Sequence, residues 1–319
     1  MSSLRESLAN YLKIRRLLGA KLQSTAYELG RFVSFLDDER APYITTTLAL
    51  GWLRKSDHIH AAVANQRLGM IRVFATWLHA TDPRTEIPPQ GLLPGYFRRT
   101  RPYIYRDEEV AQILEATREL RPRDGLRPLT YATLFGLLAV TGMRSTEAVS
   151  LDRADVDLVD GIVTVRESKF GKTRWLPLHE STRDALRAYA RRRDQFVPVP
   201  RDHGFFLSDA GTRVLGCSAR YTFAMLSQEI GLRPRTPSTK DGRNHGHGPR
   251  LHDLRHRFAV RTLVDWYRDG RDVERELPKL ATYLGHAHVS DTYWYLEAVP
   301  ELLELATERL MEKRRERPS

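Results

Sequence analysis

The sequence predicts a mainly α-helical protein with a small antiparallel β-sheet: a helical bundle followed by a larger α+β domain. Three observations predict it. Apolar residues recur at helical spacing through roughly the first 80 positions, a proline-rich stretch follows, and near residue 155 the apolar period shortens to that of strands before the helical period returns. A chain of 319 residues fits two domains. The boundaries read as a helical domain over 1–81, a linker over 82–102 and a second domain over 103–319.

In the first domain, Leu4, Leu8, Tyr11, Leu12, Ile14 and Leu18 mark one helix, and Tyr27, Leu29, Phe32, Val33 and Leu36 mark a second, which Pro42 and Tyr43 end. A third helix is expected near Thr47–Leu53 and a fourth from about His58 to Leu78, together a small bundle. Arg and Lys outnumber Asp and Glu by 14 to 8 over residues 1–100, which fits a DNA-gripping module or simply solvated helix faces. The stretch TDPRTEIPPQGLLPGYFRRTRP, residues 81–102, carries five prolines and two glycines and cannot hold a regular helix. Its arginines Arg98, Arg99 and Arg101 suit a segment lying along a phosphate backbone, or a plain tether.

In the second domain, DEEVAQILEATRE (107–119) opens with the acidic residues that favour a helix N-terminus. LTYATLFGLLAV (129–140) is apolar nearly all round and reads as a buried central helix that stops at Thr141-Gly142. A short helix is expected from Thr146 to Leu151. Residues 155–178 then alternate, with turn signals at Asp160-Gly161 and Phe170-Gly171, and predict about three antiparallel strands. Helices are expected at Ser181–Arg193, Ser218–Ile230, His252–Trp266 and Val273–Leu284, with a brief strand at GFFLS (204–208), a basic loop over 233–250 and a last helix from Glu301.

Composition narrows the partners. The chain has 51 Lys+Arg against 40 Asp+Glu, a net charge of +11, which points to a polyanion. No apolar run approaches the roughly 18–20 residues of a membrane span, and the opening MSSLRESLANYLKIRR lacks a signal-peptide apolar core, so a soluble cytoplasmic protein is expected. The lone Cys217 excludes an internal disulfide and reads as a small packed residue.

Four segments carry candidate chemistry. TGMRSTE sets Arg144 just after the buried helix, where its guanidinium could fork onto a phosphate or pair with Glu147. SKFGKTRWLPL sets Lys169 or Lys172 at a hairpin tip, able to deliver a proton to a leaving oxygen or merely solvated. LHDLRHRFA puts His252 and Arg255 three apart, a donor and a cation on one helix face. His256 lies one turn from His252, so a metal pair completed by His245 and His247 is the competing reading. LGHAHVSDTYWY (284–295) supplies His286, Tyr293 and Tyr295. A free phenol, with a pKa of about 10, is a poor nucleophile unless other groups hold its target and move its proton.

The order R…K…HxxR…LGH…Y over residues 144–295 resembles the tyrosine recombinase (phage integrase) family, and the likeness covers nearly the whole chain. It implies a helical core-binding domain and an α+β catalytic domain, clamped round duplex DNA. By that resemblance Arg144, Arg255 and His286 hold the scissile phosphate, Tyr295 attacks it to leave a 3′-phosphotyrosine, Lys169 protonates the departing oxygen and His252 accepts or positions the tyrosine proton. Glu147 would be a supporting carboxylate, and neither ATP nor a metal would be required. The His286 spacing selects Tyr295 over Tyr293, which sits about 200° away on a helix. A homotetramer on DNA is implied, with accessory DNA-bending proteins or a partner recombinase as further partners. The apolar stripe Leu302, Leu303, Leu305, Leu310 and Met311 would either pack on its own domain or exchange into a neighbour. Three alternatives stand beside site-specific recombination: a type IB topoisomerase-like nicking-closing enzyme, a catalytically silent DNA-binding protein of the same fold, and a metal-dependent nuclease.

Overall fold

The computed structural model describes residues 3–55, 61–93, 102–166, 173–234, 248–298, 302–304 and 307. The chain divides into two compact units, Met1–Thr100 and Arg101–Ser319.

The first unit is built from α1 (Leu4–Leu17), α2 (Gln23–Asp38), α3 (Thr46–Arg54) and α4 (Ala61–His79). Ser3 and Glu6 cap α1 reciprocally: the Ser3 hydroxyl accepts from the Glu6 N–H at 3.2 Å, and the Glu6 carboxylate accepts from the Ser3 N–H at 2.9 Å. The core is aromatic and aliphatic, with Phe32, Leu36, Leu68 and Phe74 fully buried and Tyr11 tilted against Phe74 at 5.3 Å. Ile14, Leu18, Tyr27, Val63 and Val73, which the periodicity assigned to apolar faces, are exposed. Each helix of this small bundle has room to bury one stripe, and those five residues lie outside it.

The first half of the proline-rich stretch is not a free tether. Arg72 donates to the carbonyls of Pro88 and Pro89 at 2.6 and 2.8 Å, and the Glu86 N–H donates to the Ile44 carbonyl at 2.8 Å. The Glu86 carboxylate in turn caps the start of α3 through the Thr46 N–H at 2.8 Å.

The second unit is organised round α6 (Arg127–Thr141), whose Leu134, Phe135, Leu137 and Leu138 are buried. Helices α5 (Asp107–Ala116), α8 (Glu180–Phe196) and α9 (Gly216–Glu229) share that core. A three-stranded antiparallel sheet, β1 (Val156–Asp157), β2 (Ile162–Val165) and β3 (Arg174–Pro177), lies in the order β1-β2-β3, with Val163 opposite Leu176 and Val165 opposite Arg174. The segment 204–208 forms isolated bridges, Gly204 with Asp152 and Leu207 with Arg213, rather than the expected strand. Cys217 is exposed, contrary to expectation, because Ala219, Thr222, Phe223 and Leu226 occupy the inward stripe of α9. A second apolar cluster joins α10 (Asp253–Arg268), α11 (Val273–Leu284) and α12 (Ser290–Ala298), and includes Tyr295 and Leu302. Leu302 is thus buried on its own unit while Leu303 is exposed; Leu305, Leu310 and Met311 fall outside the described residues. No described helix is long and apolar enough to cross a membrane.

Candidate active site

Two glycines bring the site together. Gly142 ends α6 and Gly285 ends α11, both in the left-handed region, at φ +59° and +69°. A side chain at either would collide: a Cβ at Gly142 would fall 2.5 Å from the Phe258 ring, and one at Gly285 2.8 Å from the Arg174 guanidinium. The first turn delivers Arg144 to the start of α7 (Ser145–Ser150); the second delivers His286, whose N–H closes back on the Ala281 carbonyl at 2.9 Å.

The last carbonyls of α11 form the focus. A helix C-terminus carries unsatisfied carbonyls and partial negative charge, so cations gather there. Here three successive carbonyls each accept from a different arginine: Tyr283 from Arg174 at 2.8 Å, Leu284 from Arg255 at 2.7 Å and Gly285 from Arg144 at 2.8 Å. These arginines come from β3, α10 and the start of α7. Arg255 also donates to the Gly142 carbonyl at 2.8 Å, so one buried guanidinium ties both helix ends. Burial, and then the neighbouring charge of Arg144, lower the pKa of Arg255 to about 10, which leaves it charged at neutral pH.

Glu147 lies between two of the arginines. It accepts from Arg144 at 2.8 Å and takes a two-pronged contact from Arg174 at 3.1 and 2.7 Å. Burial raises its pKa, but the arginine contacts outweigh that and hold it below the usual carboxylate range. Arg144 therefore pairs with Glu147 through one Nη and with the Gly285 carbonyl through the other, close enough to Arg255 to lower its pKa.

The histidines divide. His252, at the N-cap of α10, is exposed on its outer face; the protein packed round it, and then Arg255, lower its pKa, so it stays neutral near pH 7. The His286 Nδ1 lies 2.8 Å from the Thr292 hydroxyl, and its ring stacks with Tyr295 at 6.3 Å. Tyr295 is only 2% exposed, whereas Tyr293 is 45% exposed. The Tyr295 hydroxyl shares a hydrogen bond with His256 Nδ1 at 3.1 Å, and His256 packs edge-on to His252 at 4.9 Å. Arg144, Arg255, His252, His286 and Tyr295 thus come together through α10 and the turn after α11. Lys169 and Lys172 fall outside the described residues, as do His245 and His247. Among the described residues no group of three or more His, Cys, Asp or Glu could hold a metal ion.

Two residues at this centre were not foreseen. The sequence offers His256 as half of a metal pair with His252; in the structure its Nδ1 shares a hydrogen bond with the Tyr295 hydroxyl. Arg174 carried no expectation, yet the pattern held a hint. It is two residues from the buried Leu176, hence on the inner face of β3, where a charge needs a partner.

The sequence signature described as the phage integrase family matches residues 104–301. The chain belongs to the phage integrase family. Among family relatives, the putative integrase/recombinase y4rB of Sinorhizobium fredii is 46% identical over 314 residues, 97% of this chain and 98% of its own. Tyrosine recombinase XerA of Thermococcus kodakarensis is 30% identical over 97% of this chain and 96% of its own. In fold, this phage integrase family chain matches the Tn1549 transposon integrase, solved in complex with a circular intermediate DNA, at a TM-score of 0.66 and 15% identity, covering 97% of this chain and 100% of that one.

Proposed function

We propose that this protein is a site-specific DNA recombinase that cuts and rejoins strands through a 3′-phosphotyrosine intermediate. The observation that carries the reading is the pair of guanidiniums, Arg255 and Arg144, held on the adjacent carbonyls of Leu284 and Gly285, with His286 next in the chain and the Tyr295 ring stacked on it. Such a pair is a preorganised receptor for the charge that builds on a pentacoordinate phosphorus.

In the forward step the Tyr295 oxygen attacks phosphorus, the bond from phosphorus to the 5′-oxygen breaks, and the enzyme keeps the 3′-phosphate as a diester. The phenol proton passes to an imidazole. His252, neutral near pH 7, is suited to accept it, and His256 holds the hydroxyl beforehand. Lys169 would protonate the departing 5′-oxygen. Rejoining reverses the step with the 5′-hydroxyl of a partner strand, so the bond energy is conserved and the residues need neither ATP nor a metal. The net charge of +11 suits a duplex DNA substrate. A tetramer on DNA, assisted where needed by accessory DNA-bending proteins or a partner recombinase, acting in the cytoplasm on the nucleoid for a mobile element, completes the reading.

A nicked suicide substrate, whose short 5′-hydroxyl fragment diffuses away after cleavage, tests it. Wild type accumulates a covalent protein–DNA adduct with or without EDTA, and Tyr295→Phe forms none. An undiminished adduct with Tyr295→Phe, or its loss in EDTA, contradicts the reading.

A further inference from the structure

Arg174 differs from the two arginines beside it. Its side chain is 9% exposed, against 24% for Arg144, and its three nitrogens are engaged within the protein. Nε donates to the Tyr283 carbonyl at 2.8 Å, and the two Nη atoms grip the two oxygens of Glu147 at 3.1 and 2.7 Å. The missing side chain of Gly285 makes room for this guanidinium, since a Cβ there would lie 2.8 Å from Nη1. The residue therefore joins β3, Glu147 and the end of α11, with each of its three nitrogens donating within the protein.

Its effect on Arg144 follows from Glu147. A half-buried carboxylate has lone pairs that must be matched. With Arg174 holding both oxygens, Arg144 gives Glu147 one Nη contact and keeps its other Nη on the Gly285 carbonyl. Without Arg174, Glu147 would draw the Arg144 fork wholly onto itself, and the Tyr283–His286 turn would lose one of its three arginine anchors.

Resting on the recombinase reading, we propose that Arg174 is a positioning residue for cleavage. It saturates Glu147 and fixes the end of α11, so that the Arg144 guanidinium stays aimed at the scissile phosphate beside Arg255.

Single-turnover cleavage of the suicide substrate by the full chain tests this, with DNA affinity measured in parallel. A misaligned phosphate ligand costs about 10²-fold in rate. Arg174→Ala is expected to cleave about 10²-fold more slowly, with DNA affinity changed by less than a few-fold. Arg174→Lys, which can make one of the contacts but not the fork, should recover part of the rate. A substrate with a methylphosphonate at the scissile position supplies the readout that a merely structural role would not move. It lacks the negative charge that Arg144 must neutralise, so the gap between wild type and Arg174→Ala should shrink on it at least tenfold. Cleavage by Arg174→Ala close to the wild-type rate overturns the proposal, as does an equal loss on the charged and neutral substrates. Should the alanine variant not fold, the folded lysine variant decides: full wild-type rate refutes the role, and a partial loss that narrows on the neutral substrate supports it. Absence of any adduct with wild type overturns the recombinase reading itself, and this inference with it.

Discussion

The helices α6 and α11 end in the same way and are used differently. Each stops at a left-handed glycine, Gly142 or Gly285. The end of α6 is fixed by packing: Gly142 is pressed against the Phe258 ring, and its carbonyl takes one contact, from Arg255. The end of α11 is fixed by charge, with Arg174, Arg255 and Arg144 on successive carbonyls. One end is a wall and the other a cation cluster. Packing can be rigid without being reactive; a cluster of like charges is held together only by acceptors, and it retains the attraction for an anion that a phosphate would satisfy.

The residue common to both ends should matter most. Replacing Arg255 with Ala is expected to slow cleavage by about 10³-fold and to lower stability by about 2–3 kcal/mol, because two buried carbonyls lose a charged donor. Single-turnover rates and thermal unfolding would show this. A cleavage loss under tenfold would mean that the shared guanidinium is scaffold alone.

The two glycines sharpen the comparison. Gly142→Ala adds backbone strain to a clash with Phe258 and should cost about 2–4 kcal/mol, with cleavage by the folded fraction reduced less than in Gly285→Ala; Phe258→Ala in the same chain should restore part of the stability. Gly285→Ala should lose less stability but more cleavage, because the new methyl displaces Arg174. Denaturant unfolding and adduct formation on both variants check the ordering, and the reverse ordering would break the distinction between wall and cluster.

The smallest effect expected concerns pH. The pKa of His252 is lowered from the usual 6.5 by burial and Arg255. A neutral imidazole accepts a proton, so cleavage should hold its rate as pH falls to 6.5 and decline only below it. Stability has the same sign. Below 6.5 the unfolded chain binds the proton before the native one does, so native stability falls as pH drops toward the folded pKa. His252→Gln should remove that part of the slope in pH-dependent unfolding.

Much of this was legible in the residues. The bounds Val273–Leu284 follow from apolar spacing closed by a glycine, and the shift of period near residue 155 marks the sheet. The motif residues are legible as types with a chemistry. What the sequence does not carry is which carbonyls they meet: the arginines at 144, 174 and 255 converge on residues 283–285 only through tertiary packing. Arg174 is the instructive case. Its inward register on β3 was visible, but its partner Glu147 lies 27 residues away on another element. The strand expected at 204–208 failed for a related reason. Its apolar run is satisfied by core burial of Phe205 and Phe206, with scattered contacts such as the Phe205 N–H to the Leu151 carbonyl, and no ladder. Tyr295 shows the same limit: its spacing from His286 is legible, but not its burial in an apolar cluster with the hydroxyl on His256 and the ring stacked on His286.

The most direct measurement is the chemical identity of the attachment point. The wild-type adduct from the suicide substrate, digested with nuclease and protease, should yield by tandem mass spectrometry a nucleotide esterified to the hydroxyl of Tyr295. A nucleotide on Tyr293, or on any other side chain, would contradict the account.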